Sequence, residues 1–387
     1  MVVFLTGATG FLGGELLVTL SKRSEISKIY CFIRSASLHE ASTKIEKIFS
    51  LHHDFYDKEK IIPITGNLQD EGLVSSLKEN RQLQDIDIII HSAANTSFSR
   101  IYNKLVEDVN IKGLERILLW AKDLTHLKTF LYIGTATICG KNFRNRLILE
   151  EESPNLDADH LVRYTYTKMQ GELLLDKHLA PEKILVARPS IIMGDSRPVV
   201  PRSPVILWAV ATINRLRFIP VNEYAMLDMI PVDFAAEAIV ALLFAKRNYQ
   251  VYHITSGNEA ATSAYKLSLS LSTYFTDLPP FHFVNTSLLE QLKLWAKGRL
   301  NPNSELQQSP LYLNYWHEVF PDPGELRILL AGLEPYLEFM NLGQSFDNTR
   351  LYQDLPALRR PVPAEIYINN CMKFIANIDI LKGAFDS

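Results

Sequence analysis

Short, almost wholly apolar runs alternate along the chain with stretches whose apolar residues recur every three or four positions. VVFLT (2–6), KIYCFIR (28–34), IIPIT (61–65), IDIIIHSAA (86–94), KTFLYIG (128–134) and KILVARPSII (183–192) are the apolar runs of the first half. They are short and rich in β-branched residues, which predicts strands covered on both faces. FLGGELLVTLSKR (11–23) and NKLVEDVNIKGLERILLWAKDL (103–124) carry the helical spacing between them. Strands alternating with helices predict right-handed crossovers and a parallel, doubly wound sheet: an α/β fold of Rossmann type.

The rhythm changes near residue 195. DSRPVVPRSP (195–204) is rich in proline and polar residues and predicts a loop. PVDFAAEAIVALLFAK (231–246) returns to helix and QVYHIT (250–255) to strand, so the chain is expected to rejoin the sheet there. The remainder is mainly helical in pattern, broken by NPNSELQQSP (301–310) and FPDPGE (320–325). The expected organisation is a dinucleotide-binding domain over 1–255 and a smaller, mostly helical substrate lobe over 256–387, with 192–230 contributing to the lobe. A separate C-terminal domain is the alternative. PVILWAVATI (204–213) suits an acyl tunnel or a core helix equally. SLHHDFYDKEK (50–60) is polar and offers His52 and His53 no convincing metal-ligand set, so a solvated loop is expected and no metal.

Composition narrows the class. A chain of 387 residues that is 47% hydrophobic and 21% charged is globular and long enough for a large core. Its net charge of −3 gives no reason to expect nucleic acid as a partner. Cys31, Cys139 and Cys371 lie far apart without a C-x-x-C, which suits a reducing compartment. The start of the chain has no leader pattern. No apolar run reaches the ~18 residues of a membrane span. SPVILWAVATINRLRF (203–218) comes nearest and is broken by Asn214, Arg215 and Arg217. A soluble, cytoplasmic protein is expected, with peripheral membrane contact left open.

Chemistry enters at FLTGATGFLGG (4–14), where Gly7, Gly10 and Gly13 follow a strand and open a helix. In that context the glycines allow a tight turn, close approach of a pyrophosphate, and helix packing. The phosphates would meet exposed N–H groups at the helix N-terminus. The next strand ends at Arg34, 21 residues after Gly13, with no acidic residue before Glu40. An arginine suits a ribose 2′-phosphate, so NADPH is favoured over NADH; a solvated surface arginine is the alternative. Lys44 is a weaker candidate for the same phosphate.

RYTYTKMQGE (163–172) raises a choice between two tyrosines. On a helix Tyr164 lies one turn before Lys168 on the same face, whereas Tyr166 points elsewhere, as a bystander or substrate contact. Thr135 stands just past the end of an apolar strand, where ligands bind in such sheets. A hydroxyl, a phenol and an ammonium would then share one site.

TGATGFLG (6–13), HSAA (91–94), GTATICG (134–140) and YTYTK (164–168) resemble the extended short-chain dehydrogenase/reductase superfamily. RPSIIMGDSR (188–197), PVDFAAEAI (231–239) and FDNTR (346–350) resemble its male-sterility-type branch, which holds thioester reductase domains and fatty acyl-CoA reductases. The resemblance covers about residues 1–255. It implies that Tyr164 protonates the substrate oxygen, that Lys168 lowers its pKa and holds the nicotinamide ribose, and that Thr135 binds the carbonyl oxygen. Asn110 would support the site from the neighbouring helix. Thr6, Gly7, Thr9, Gly10, Phe11, Leu12 and Gly13 would form the cofactor loop. Ala93 and Ala94 would let the dinucleotide lie close, Asn67 and Leu68 would flank the adenine, and Pro189 and Ile191 would bound the nicotinamide. Two positions depart from the branch: Asn67 stands where Asp is common, and Gly134 where Ser is common. The implied activity is NADPH-dependent reduction of an acyl thioester, carried by CoA or by an acyl or peptidyl carrier protein, to an aldehyde, with further reduction to an alcohol left open. The alternatives are a nucleotide-sugar epimerase or dehydratase, a ketone or sterol-type dehydrogenase, and a non-catalytic dinucleotide sensor.

Overall fold

A computed structural model describes residues 1–198, 204–299 and 304–386. Seven strands, numbered along the chain, form one sheet: β1 (Val2–Thr6), β2 (Lys28–Ile33), β3 (Ile61–Thr65), β4 (Ile88–His91), β5 (Thr129–Ile133), β6 (Ile184–Pro189) and β7 (Val251–Ile254). Their order is β7-β6-β5-β4-β1-β2-β3, and every pairing is parallel. Val3 sits opposite both Ile29 and Ile88, so β1 lies between β2 and β4, where the strand order reverses. Such an order leaves a crevice at the strand C-termini, between β1 and β4. This is the Rossmann arrangement expected from the alternating pattern, and QVYHIT supplies its seventh strand.

The period-two alternation of side chains divides the strands between two cores. Val3, Leu5, Cys31, Ile33, Ile88 and Ile90 face helices Phe11–Ser21, Leu38–Leu51 and Val232–Phe244. Phe4, Tyr30, Phe32, Ile89, Phe130 and Tyr132 face helices Leu73–Glu79, Gly113–Ala121 and Arg163–His178. Both faces are covered, which is why the strands read as continuous apolar runs.

One expectation fails here. His52 is not a solvated loop residue. Residues Leu38–Leu51 form a helix, started by Ser37, whose side chain accepts from the Glu40 N–H. His52 ends it: one ring nitrogen bonds the Ile48 carbonyl at 2.8 Å, the other the buried Glu15 carboxylate at 2.6 Å. Ala41, Ile45, Ile48 and Phe49 are its buried face.

The lobe has its own core. Helices Pro204–Leu216, Ala264–Tyr274, Leu288–Trp295, Pro310–Val319 and Pro323–Met340 contribute to it, joined by Met193 and Met229. The chain then returns to the sheet domain. Ser345–Phe346 pairs in parallel with Leu147–Ile148, and Tyr252 donates to Asp354 at 2.5 Å. The expected loop at 195–204 falls partly on residues 199–203, and the break at 301–310 partly on 301–303, outside the described residues; Glu305–Gln308 is a 3₁₀ turn. Among the described residues no helix is long and apolar enough to cross a membrane.

Candidate active site

Two glycines shape the loop after β1. Gly7 has φ +74°, and a Cβ there would sit 2.6 Å from the Ala93 nitrogen. A Cβ on Gly13 would lie 2.0 Å from the Gly7 carbonyl oxygen, so only glycine lets the helix start so close to the turn. The Gly10 N–H closes the turn onto the Gly7 carbonyl at 2.9 Å. Gly7, Thr9, Gly10, Phe11, Leu12, Gly13 and Ala94 line a cleft of about 560 Å³ along the C-terminal edge of the sheet. A loop free of bulky obstruction, opening a helix N-terminus into a cleft of this size, fits a dinucleotide pyrophosphate.

Five further cofactor candidates, Thr6, Arg34, Asn67, Leu68 and Ala93, stand outside that lining. Thr6 is fully buried; its hydroxyl bonds His91 Nδ1 at 3.1 Å and accepts from the Ala93 N–H at 3.2 Å, tying β1 to β4 at the crevice. Ala93 packs on Gly7. Leu68 is buried beneath Gly113, and Asn67 accepts the Gln69 N–H, so both shape the turn after β3. Arg34 is exposed just past β2, and its carbonyl accepts from Lys44, whose ammonium also pairs with Glu40 at 2.6 Å.

Tyr164, Lys168, Thr135, Pro189 and Ile191 all line the cleft. Tyr164 occupies the first turn of helix Arg163–His178, and Lys168 follows one turn later. The Lys168 ammonium lies 5.9 Å from the Tyr164 ring centroid and 5.0 Å from that of Tyr132, and donates to the Ile133 carbonyl at 2.6 Å. Burial drives its pKa down to about 7, against the opposing pull of Glu172. Burial also pushes the Tyr164 phenol up to about 12, opposite to the lowering expected from a neighbouring ammonium. The phenol therefore stays protonated at neutral pH, the state a proton donor requires.

Asn110 is 3% exposed, within a π-helical turn, Asp108–Lys112, that joins helices Asn103–Glu107 and Gly113–Ala121. It accepts from the Asn95 N–H at 2.7 Å and donates to the Asn95 carbonyl and Thr167 Oγ1, each at 2.9 Å. It thereby fastens the 92–99 loop to the tyrosine helix. Tyr166 is absent from the cleft lining; Gln170 donates to its hydroxyl and Arg163 covers its ring. At Gly134 a Cβ would come 3.0 Å from Glu172 Oε1, which pairs with the buried Arg188, so glycine leaves that ion pair undisturbed.

Sequence reasoning missed four contributors. Thr137 lines the cleft with its hydroxyl 3.0 Å from that of Thr135, and its spacing two residues on was the available signal. Phe98 stacks on Tyr336 at 4.8 Å and lies 6.2 Å from the Tyr164 ring; with Phe339 the two close one side of the site. Tyr336 and Phe339 lie beyond the motifs of residues 1–255, and nothing local marks them.

A second cavity of about 90 Å³ shares Phe98, Ile191, Ile206, Tyr336 and Phe339 with the cleft. Its lining is almost wholly apolar. Ile206, Ala209, Val210 and Ile213 put the PVILWAVATI stretch along it, while Leu207 and Trp208 on the same helix are buried in the lobe core. The stretch is thus a core helix, one face of which borders an apolar cavity.

A family model described as male sterility protein matches residues 5–239. Fatty acyl-CoA reductase 2 of Mus musculus is 25% identical over 362 residues, covering 82% of this chain and 67% of that protein. Fatty acyl-CoA reductase 1 of Homo sapiens is 24% identical, with the same coverage. Among solved structures, the terminal R domain from the myxalamid PKS-NRPS biosynthetic pathway aligns at TM-score 0.72 and 20% identity, over 97% of this chain and 90% of that one. UDP-glucuronic acid 4-epimerase from Bacillus cereus in complex with NAD aligns at TM-score 0.63 and 17% identity, over 97% and 99%. At these identities the structural likenesses bear on the fold.

Proposed function

The chain belongs to the male sterility protein family, and on that premise we propose that it is an oxidoreductase that reduces an acyl thioester to an aldehyde with NADPH. The observation that carries the proposal is the position of Tyr164, Lys168 and Thr135 in a cleft that adjoins an apolar cavity. A hydrocarbon chain suits that cavity, whereas a nucleotide sugar would leave its hydroxyls unpaired there. The names of the similar fatty acyl-CoA reductases support the same substrate class.

A bound reduced nicotinamide supplies the hydride that the thioester carbonyl carbon takes up. Thr135 donates a hydrogen bond to the carbonyl oxygen, where negative charge develops. Tyr164 passes its proton to that oxygen, giving a hemithioacetal. Collapse of the hemithioacetal breaks the C–S bond and releases aldehyde and thiol. Lys168, held by the Ile133 carbonyl, lies on the phenol's side of the site and stabilises the phenolate left behind. Asn110 keeps the tyrosine helix and the 92–99 loop in register. Arg34, at the end of β2, would read the 2′-phosphate.

The test is NADPH oxidation by the purified protein with acyl-CoA and carrier-bound thioesters, beside Tyr164→Phe and Tyr166→Phe. Thioester-dependent oxidation lost in the first variant and kept in the second is expected. Oxidation with ketones or nucleotide sugars but no thioester would overturn the reading.

A further inference from the structure

We propose that the second cavity gauges acyl chain length and that Phe281, backed by Arg217, is its stop; this rests on the thioester reading above. Two helices each aim a stripe at the cavity with the spacing i, i+3, i+4, i+7. Helix Pro204–Leu216 presents Ile206, Ala209, Val210 and Ile213. Helix Ala264–Tyr274 presents Ala264, Leu267, Ser268 and Leu271. Stripes of this kind ordinarily pack directly on one another. Here Ala209 and Ala264 are small, and a gap persists between the helices.

The direction of the gap follows from its neighbours. Ile206, at the start of the first stripe, also lines the active-site cleft. Ala264 directly follows Thr262–Ser263, which pairs with Met226–Leu227, and Met226 and Leu227 line the cleft as well. Both stripes therefore begin beside the active-site cleft and end away from it, at Ile213 and Leu271. Seven helical rises give each stripe a length of ~10 Å.

Arg217 closes the far end. It is fully buried and donates to Ser272 Oγ and to the Phe275 carbonyl, at the C-terminus of the second helix. It thereby pins together the distal ends of both helices, where a cation suits the helix dipole. Its guanidinium carbon lies 4.2 Å from the Phe281 ring centroid, and its own carbonyl accepts from the His282 N–H at 2.8 Å. Phe281 lines the second cavity but not the cleft. A ring clamped on one side by a buried cation is a rigid end wall.

The experiment uses S-alkyl pantetheine thioethers of increasing chain length. They carry the arm common to CoA and carrier proteins and cannot be reduced. Binding to the full chain is followed by calorimetry, and acyl thioesters of the same lengths are assayed in parallel. Wild-type affinity should rise about fourfold per methylene until the chain reaches Phe281, then level off. Phe281→Ala should move the break to longer chains and Ala209→Leu to shorter ones, with the same shifts in kcat/KM. Thioesters reduced with a break that neither folded variant moves would overturn the gauge and leave the reductase standing. A break that moves as stated while no thioester is reduced would support the gauge and sink the reductase. Binding independent of chain length would overturn the gauge outright.

Discussion

The hydroxyls of Thr135 and Thr137 lie 3.0 Å apart, and the Thr137 N–H also points at Thr135 Oγ1. A hydroxyl has two acceptor sites and one proton. If Thr137 fills the acceptor sites of Thr135, the Thr135 proton is left to donate into the cleft. Thr137→Val should lower kcat about tenfold with KM little changed, and Thr137→Ser should restore it. Thr135→Val should cost ~10²–10³ in kcat, as for loss of an oxyanion donor. Steady-state kinetics of the three variants separate a relayed hydrogen bond from a packing role, which serine would not rescue.

Arg34 is the residue on which cofactor choice is expected to turn. It is exposed at the end of β2, with no acidic side chain nearer in sequence than Glu40, which is engaged with Lys44. Arg34→Ala should raise the Kd for NADPH by about 10-fold or more, through loss of a charge-assisted contact, and leave that for NADH unchanged. Fluorescence titration with both dinucleotides checks it. Equal weakening of both would mean that Arg34 does not read the 2′-phosphate.

Glu172 and Arg188 form a buried two-pronged ion pair, at 2.9 and 2.6 Å, joining the tyrosine helix to β6. Removing one partner strands the other charge in the core. Glu172→Gln should destabilise the fold by about 3–5 kcal/mol, while replacing both residues by methionine should cost much less. Urea unfolding of the single and double variants measures the difference.

Glu150 gives a pH test. Burial raises its carboxyl to about 7, although it accepts the His253 and Arg350 N–H groups. The folded state then holds a proton that the unfolded chain releases near pH 4.5. Its contribution to stability is fully present below pH 4.5 and is lost as the pH rises through about 7. Glu150→Gln cannot titrate, so its stability relative to wild type should climb across that window, by up to about 3 kcal/mol, and then flatten. Chemical denaturation of both proteins at closely spaced pH values checks this; a constant difference would refute the shift.

Much of the sheet domain was legible because its signals are local. The glycine loop, the apolar runs and the Tyr164–Lys168 spacing each lie within a few residues, and a helix or strand converts such spacings directly into geometry. Ala41, Ile45, Ile48 and Phe49 carry the helical spacing of 38–51 as well. The partner of His52 was not, because Glu15 lies 37 positions away and only the packing of two helices joins them.

The sequence by itself determined the parallel sheet, the turn at Gly7, and which tyrosine shares a helical face with the lysine. Tertiary structure decided the rest: the hydroxyl pair, the aromatic wall of Phe98, Tyr336 and Phe339, and the cavity ending at Phe281. Those features depend on a gap between helices far apart in the chain. Periodicity shows which face of a helix is apolar, but whether that face meets a neighbour or an open space is set by side-chain volumes summed across the whole lobe.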